Sequence, residues 1–294
     1  MPRNLPLVAV QTTPVAWDPE ATFDRFAGEL RSLRASLPTT RLFVYPELYL
    51  AALGPFGSLP PDGYESAAAE PVPGPLTDRL CELARELDIW LVPGSILERA
   101  PQGAPYNTTL AISPTGEIAA RYRKAFPWRP FERTTPGHEF VVFEIDDVGT
   151  VGLMICYDGW FPEVARHLAW MGAEVILQVS ATMTSDREQE LVLARAGAIV
   201  NQLFVVNVNM GGAFGPGQSI VADPEGRVVT EAGSGFEHLT MVLDLDQVAS
   251  VREHGTMGIT RNWSEFSEGG PRVPLPLYAE ERFRPVAPAE PRPS

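Results

Sequence analysis

The sequence predicts an α/β fold whose helices pack outside a large or doubled β-sheet. Strand-length apolar runs alternate with amphipathic helical segments along the chain. The strands are too many for one small sheet, and no internal repeat or clear linker divides them. Hydrophobic residues make up 45% of the 294, enough for a substantial core.

"LPLVAVQ" (5–11) reads as a buried strand. In "DPEATFDRFAGELRSLRAS", Asp18 stands at the N-cap and Pro19 at the first helical position, with Phe23, Phe26, Ala27, Leu30 and Leu33 on one stripe. A second strand, "RLFVYPE" (41–47), stops at Pro46. A helix over 76–88 and a strand over 89–95 follow. Residues 107–113 and 118–123 flank the turn "PTGE" and predict a hairpin. "FVVFEI" and "TVGLMIC" predict another strand pair. Then come the helix "PEVARHLAWMGA", a strand over 174–180, a longer helix over 185–201, and strands in "LFVVNVN", "QSIVADPEGRVV" and "TMVLDL". One domain over 1–280 is expected, followed by a loose Pro-rich tail over 281–294.

A net charge of −14 argues against a nucleic-acid or anionic-membrane surface. The two cysteines, Cys81 and Cys156, form no metal or disulfide-framework spacing, which suits a reduced, cytoplasmic setting. No apolar run reaches the length of a signal peptide core or a membrane span. His138, His167, His238 and His254 show no metal-ligand spacing, and "NMGGAFGPGQS" lacks the lysine and following helix of a phosphate loop. No metal and no cofactor are expected.

Three ionisable residues stand at or just beyond strand ends, where ligands gather in α/β sheets: Glu47, Lys124 and Cys156. A thiol that attacks, a carboxylate that takes its proton and an ammonium that meets an oxyanion would make a nucleophilic site. Each residue taken alone also fits a plain role: a packed thiol, a turn acid, a solvated edge charge. A Cys–His pair stays open, with nothing to favour it.

Three blocks together separate these readings. "FVYPEL", "YNTTLAISPTGEIAARYRK" and "GLMICYDGWFPE" occur in one order along the chain, which resembles the nitrilase, or carbon–nitrogen hydrolase, superfamily from "VAVQ" to about Tyr278. The resemblance implies a four-layer αββα sandwich and a cofactor-free amidase. It implies Glu47 as general base, Lys124 as catalytic lysine and Cys156 as nucleophile, with the backbone N–H of Tyr157 joining Lys124 at the oxyanion. "RKAFPWRPFE" is similar to the amidase and formamidase branch, which implies Glu132 as a second glutamate that positions the substrate or the lysine; a loop acid paired with Arg129 or Arg133 is the plain alternative. Asp158 is expected to be structural. Tyr49, Trp128 and Trp160 flank the blocks and either line the pocket or fill the core.

Residues after the nucleophile read Cys156-Tyr157-Asp158-Gly159, whereas true nitrilases of the superfamily usually continue Cys-Trp-Glu, so amides are expected over nitriles. A nitrilase, an N-carbamoyl hydrolase, a thioester-dependent acyltransferase or amide synthase, and a catalytically silent binding protein are the alternatives. The site departs from common patterns at Val200, where many members carry a glutamate. Val164, Leu168, Trp170 and Met171 spread over more than one face of their helix, so a homodimer or higher homo-oligomer is expected.

Overall fold

The computed structural model describes residues 2–55 and 57–267. The chain order is β1 (Asn4–Gln11), α1 (Pro19–Ser36), β2 (Leu42–Val44), α2 (Tyr64–Ala67), α3 (Pro75–Leu87), β3 (Trp90–Val92), β4 (Ser95–Glu98), β5 (Tyr106–Ile112), β6 (Ile118–Arg123), β7 (Val142–Ile145) and β8 (Gly149–Ile155). A 3-10 turn, Cys156–Trp160, leads to α4 (Pro162–Trp170), β9 (Val175–Val179), α5 (Arg187–Asn201) and β10 (Phe204–Val208), and a second, Gly212–Phe214, follows. Strands β11 (Ile220–Ala222), β12 (Val228–Glu231) and β13 (Glu237–Asp244) and helices α6 (Asp246–His254) and α7 (Asn262–Ser267) complete it.

Two sheets form. One runs β13-β1-β2-β3-β5-β4, with β6 paired to β5; the other runs β12-β11-β10-β9-β8-β7. The period-two pattern of the strands assigns the layers. In β1, Leu5, Leu7 and Ala9 meet Leu153, Ile155, Leu177 and Val206 in the core between the sheets. Val8 and Val10 face the other way, onto Phe23, Phe26 and Leu30 of α1 and Leu80 and Leu83 of α3. On the second sheet Met154, Ile176 and Val205 pack under Val164 and Leu168 of α4 and Ala194 and Ala198 of α5. The result is the four-layer αββα sandwich.

The Asp18 cap forms as expected, with its side chain accepting from the Ala21 N–H at 2.9 Å. The strand over 89–95 is instead two strands, β3 and β4, broken at Pro93-Gly94. Gly94 has φ +83°, and a Cβ there would lie 1.8 Å from the Pro46 carbonyl oxygen, so only glycine lets this turn close against the segment leading into Glu47. The strand over 41–47 is regular only to Val44; Tyr45 to Glu47 leave the ladder. Of the less familiar stretch 252–278, the described part contributes the end of α6 and α7, and the expected tail over 281–294 lies outside the described residues.

Candidate active site

Glu47, Lys124, Glu132 and Cys156 line one cavity of about 280 Å³. Glu47 follows β2, and its backbone N–H donates to the Ser180 carbonyl at 3.2 Å, which ties it to the end of β9 in the opposite sheet. Its carboxylate accepts three hydrogen bonds and keeps acceptor capacity on Oε2. Oε1 accepts from Lys124 Nζ and from Asn107 Nδ2, both at 2.8 Å. Oε2 accepts from the Ala181 N–H at 2.9 Å.

Lys124 follows β6, and its ammonium bridges two carboxylates, Glu47 at 2.8 Å and Glu132 at 2.7 Å. The Glu132 carboxylate also accepts from the Trp128 N–H at 2.9 Å, Asn107 Nδ2 at 3.0 Å and the Thr134 hydroxyl at 2.8 Å. It pairs with neither Arg129 nor Arg133 through its side chain. Arg129 instead donates to the Glu132 and Thr134 carbonyls and braces the loop.

Cys156 stands at the end of β8 with φ +44°, a left-handed conformation that costs a β-carbon residue of order 1 kcal/mol or more. The turn lifts its sulfur out of the sheet and into the cavity. Thr182 Oγ1 lies 3.5 Å from that sulfur. Asp158 anchors the turn: its carboxylate accepts from the Ile155 N–H at 3.1 Å, the Tyr122 hydroxyl at 2.7 Å and the Phe126 N–H at 2.9 Å. Since Tyr122 and Phe126 flank Lys124, one buried acid sets the thiol turn against the lysine strand.

Burial governs the ionisation of these groups, and their charges redistribute it. Burial pushes the Glu47 carboxyl up; Lys124 opposes it and Glu132 adds to it, with a net rise. Burial alone would lower the Lys124 ammonium, but Glu47, Cys156 and Glu132 outweigh it and hold the lysine well above its usual range. Burial also works against Glu132, yet Lys124 and the donated hydrogen bonds bring it below the ordinary carboxylate value. Burial and the Glu47 charge push the Cys156 thiol well up, against the pull of Lys124. Burial takes Asp158 to about 7 despite Lys124 and its three donors. The resting arrangement is therefore a neutral thiol beside an ammonium held by carboxylates, built to move a proton as the sulfur attacks.

Of the aromatic residues singled out in the sequence, Trp128 lines this cavity and also a smaller one, of about 40 Å³, that meets it at Cys156. Tyr157 and Trp160 line the smaller one. Tyr49 does not reach either: it is fully buried in the helix-covered core, stacked on Tyr45 with ring centroids 5.6 Å apart. It follows Leu48, which has φ +51°, and this backbone turn sends the Tyr49 ring inward. No histidine lines either cavity, and among the described residues no cluster of His, Cys, Asp or Glu could hold a metal ion.

Sequence reasoning missed Asn107, which bridges Glu47 and Glu132, and a buried polar group around Glu190 described below. The signal for Asn107 was its type: asparagine is unfavourable in a strand, so a buried one in "NTTLAIS" needs polar partners.

A thiol, a base and an ammonium converging on one cavity define a class of cysteine-dependent hydrolases. The family model for carbon–nitrogen hydrolases matches residues 7–253, and the chain belongs to that family. An (R)-stereoselective amidase from a Pseudomonas species is 35% identical over 230 residues, which is 76% of this chain and 80% of that protein. A formamidase from Bacillus thuringiensis is 39% identical over 155 residues, 50% of this chain; the match spans only 46% of the formamidase. The crystal structure of Saccharomyces cerevisiae Nit3, a member of branch 10 of the nitrilase superfamily, superimposes with a TM-score of 0.76 at 29% identity, covering 85% of this chain and 94% of that one.

Proposed function

We propose that this chain is an amidase that converts a carboxylic amide to the acid and ammonia through a thioester on Cys156. The observation that supports it best is the convergence of Glu47, Lys124, Glu132 and Cys156 on one cavity, with Lys124 within 2.8 Å of both acids.

In this reading the Cys156 sulfur attacks the carbonyl carbon while its proton passes to Glu47. The carbonyl oxygen takes the negative charge, facing the Lys124 ammonium and the backbone N–H of Tyr157. Each such donor is typically worth about 3–4 kcal/mol to the transition state. Collapse breaks the C–N bond, and the leaving nitrogen takes the proton from Glu47 as ammonia departs. Water then gives a proton to Glu47 and attacks the thioester carbon. Collapse of that adduct frees the acid, and the thiolate recovers its proton from Glu47. Glu132 holds Lys124 in place and keeps it charged.

The cavity wall supports an apolar acyl group larger than formyl. Trp17, Leu53, Leu97, Met183 and Met210 face about 280 Å³, far more than a formyl group fills. The catalytic unit is proposed to be one domain over 1–280. A cytoplasmic setting is part of the same reading, supported by two free cysteines; no helix among the described residues is long and apolar enough to cross a membrane. Self-association is supported by Trp170 and Met171, 38% and 45% exposed at the end of α4.

The test offers small amides and reads two signals, ammonia release and an acyl adduct on Cys156 by mass spectrometry. Ammonia together with the adduct is expected. Turnover that persists in Cys156→Ala would overturn the assignment.

A further inference from the structure

Close to Cys156, and linked to it through residues 178 and 182, lies a second buried carboxylate that the chemistry above does not use. Glu190 in α5 is 1% exposed, as are Arg187 and Gln178. Its Oε1 accepts from Ser180 Oγ at 2.6 Å and from Gln178 Nε2 and Asn207 Nδ2, each at 3.1 Å. Its Oε2 accepts from Thr182 Oγ1 at 2.6 Å and from Arg187 at 2.7 Å. Arg187 supplies the countercharge that makes a buried carboxylate tolerable.

Two of these donors also touch Cys156. Gln178 Nε2 donates to the Cys156 carbonyl oxygen at 2.9 Å, and Thr182 Oγ1 is the atom 3.5 Å from the sulfur. The side-chain amide of Gln178 can come this close because residue 159 is glycine; a Cβ there would stand 2.3 Å from Gln178 Nε2. Thr182 has one hydroxyl hydrogen, and the 2.6 Å bond gives it to Glu190. Its oxygen therefore meets the thiol as an acceptor or a packing wall, not as a donor. Backbone and side chain of the same strained residue are thus held by two arms of one carboxylate. The segment that carries both arms, 178–182, also binds Glu47 through the Ser180 carbonyl and the Ala181 N–H.

We propose that Glu190 is a positioning residue for the nucleophile: through Gln178 and Thr182 it holds the Cys156 carbonyl and sulfur in the left-handed geometry that aims the thiol at the substrate carbonyl and at Glu47. The inference rests on Cys156 being the nucleophile. Its physical basis is that misplacing reacting atoms by about 1 Å can cost on the order of a hundredfold in rate, while substrate binding elsewhere in the cavity is untouched.

The experiment compares Glu190→Gln, Thr182→Val and Thr182→Ser with the wild-type enzyme for kcat, KM and the rate of Cys156 alkylation by iodoacetamide, with thermal melting as the check on folding. Glu190→Gln should lower kcat about a hundredfold and Thr182→Val about tenfold, with KM within about threefold and alkylation slowed in parallel. Thr182→Ser, which keeps the hydroxyl, should restore most of kcat. If Glu190→Gln does not fold because Arg187 loses its partner, the threonine pair carries the test alone. Folded Glu190→Gln or Thr182→Val enzyme with wild-type kcat and alkylation rate would overturn the proposal, even if its melting temperature fell. That result would leave the thioester reading standing, since that reading fails only if Cys156→Ala retains turnover.

Discussion

The Glu132 carboxylate lies 2.7 Å from the Lys124 ammonium, eight residues along the chain; the lysine is buried and the glutamate half-buried. One acid of the loop after β6 therefore shares a lysine with an acid that follows β2. Removing its charge has a definite sign. Glu132 raises the Glu47 pKa, so Glu132→Gln should move the acid limb of kcat/KM to lower pH. It should also lower kcat by on the order of a hundredfold, because Lys124 loses a fixed partner. The neutral isostere keeps the loop shape, so melting should change by only a few degrees. A pH–rate profile with an unmoved acid limb and wild-type kcat would make Glu132 a structural loop acid.

The two thiols should behave differently. Cys81 is half-buried on α3 beside the helix-covered core, and burial, with Asp78 adding to it and Arg85 opposing, raises its pKa. Cys81→Ala should keep full activity. Iodoacetamide should inactivate the wild-type enzyme with one equivalent of label on Cys156, as read by peptide mass spectrometry. Label on Cys81 accompanying the loss of activity would contradict this.

Matched pairs of amide and nitrile with the same acyl group should favour the amide. Within the amides, kcat/KM should rise from formamide to larger apolar acyl groups, because a wall of Trp17, Leu97 and Met210 stabilises apolar contact at roughly 25 cal/mol per Å² buried. Ammonia release measured across such a panel decides it. Formamide as the best substrate would overturn the larger-acyl reading, and a faster nitrile would send the assignment to another branch of the superfamily.

Self-association should be visible by light scattering at micromolar concentration. Val164 and Leu168 point into the core, whereas Trp170 and Met171 remain partly exposed in this chain with Ile199 and Val200 of the α5 end, 46% and 44% exposed. Met171→Glu should weaken association without altering the melting of the protomer. A monomer at those concentrations would refute the expectation.

Stability should also depend on pH through Glu98. This residue is 1% exposed and forms ion pairs with both Arg121 and Arg123. Burial opposes its ionisation, but the arginines and the Thr108 hydroxyl outweigh burial and lower its pKa. A lowered folded pKa contributes stability that is fully present above the unfolded value of about 4.3 and is lost as pH falls through the lower folded value. Glu98→Gln should melt lower at neutral pH and show a flatter decline in acid. Parallel melting curves for the two proteins between pH 6 and about 3 would exclude this role.

The sequence by itself determined the alternation of elements, the N-cap of α1 and the hairpin of β5 and β6, while Glu47, Lys124, Glu132 and Cys156 were singled out through the family resemblance of its blocks. These are local properties: side-chain period, turn chemistry and motif spacing act over a few residues. Tertiary structure alone decided that Tyr49 packs into the core, since a single positive φ at Leu48 turns its ring inward. It decided that 89–95 breaks into two strands at Gly94, whose φ of +83° lets the chain turn beside the Pro46 carbonyl of a distant segment. It also decided the partners. Asn107, Glu132 and Glu47 come from three separated segments, and Glu190 reaches Cys156 across 34 residues of chain through Gln178 and Thr182. Hydrogen bonds of that range leave no periodic trace in sequence; they exist only because closing two sheets on one core buries these polar groups and makes each of them find a partner.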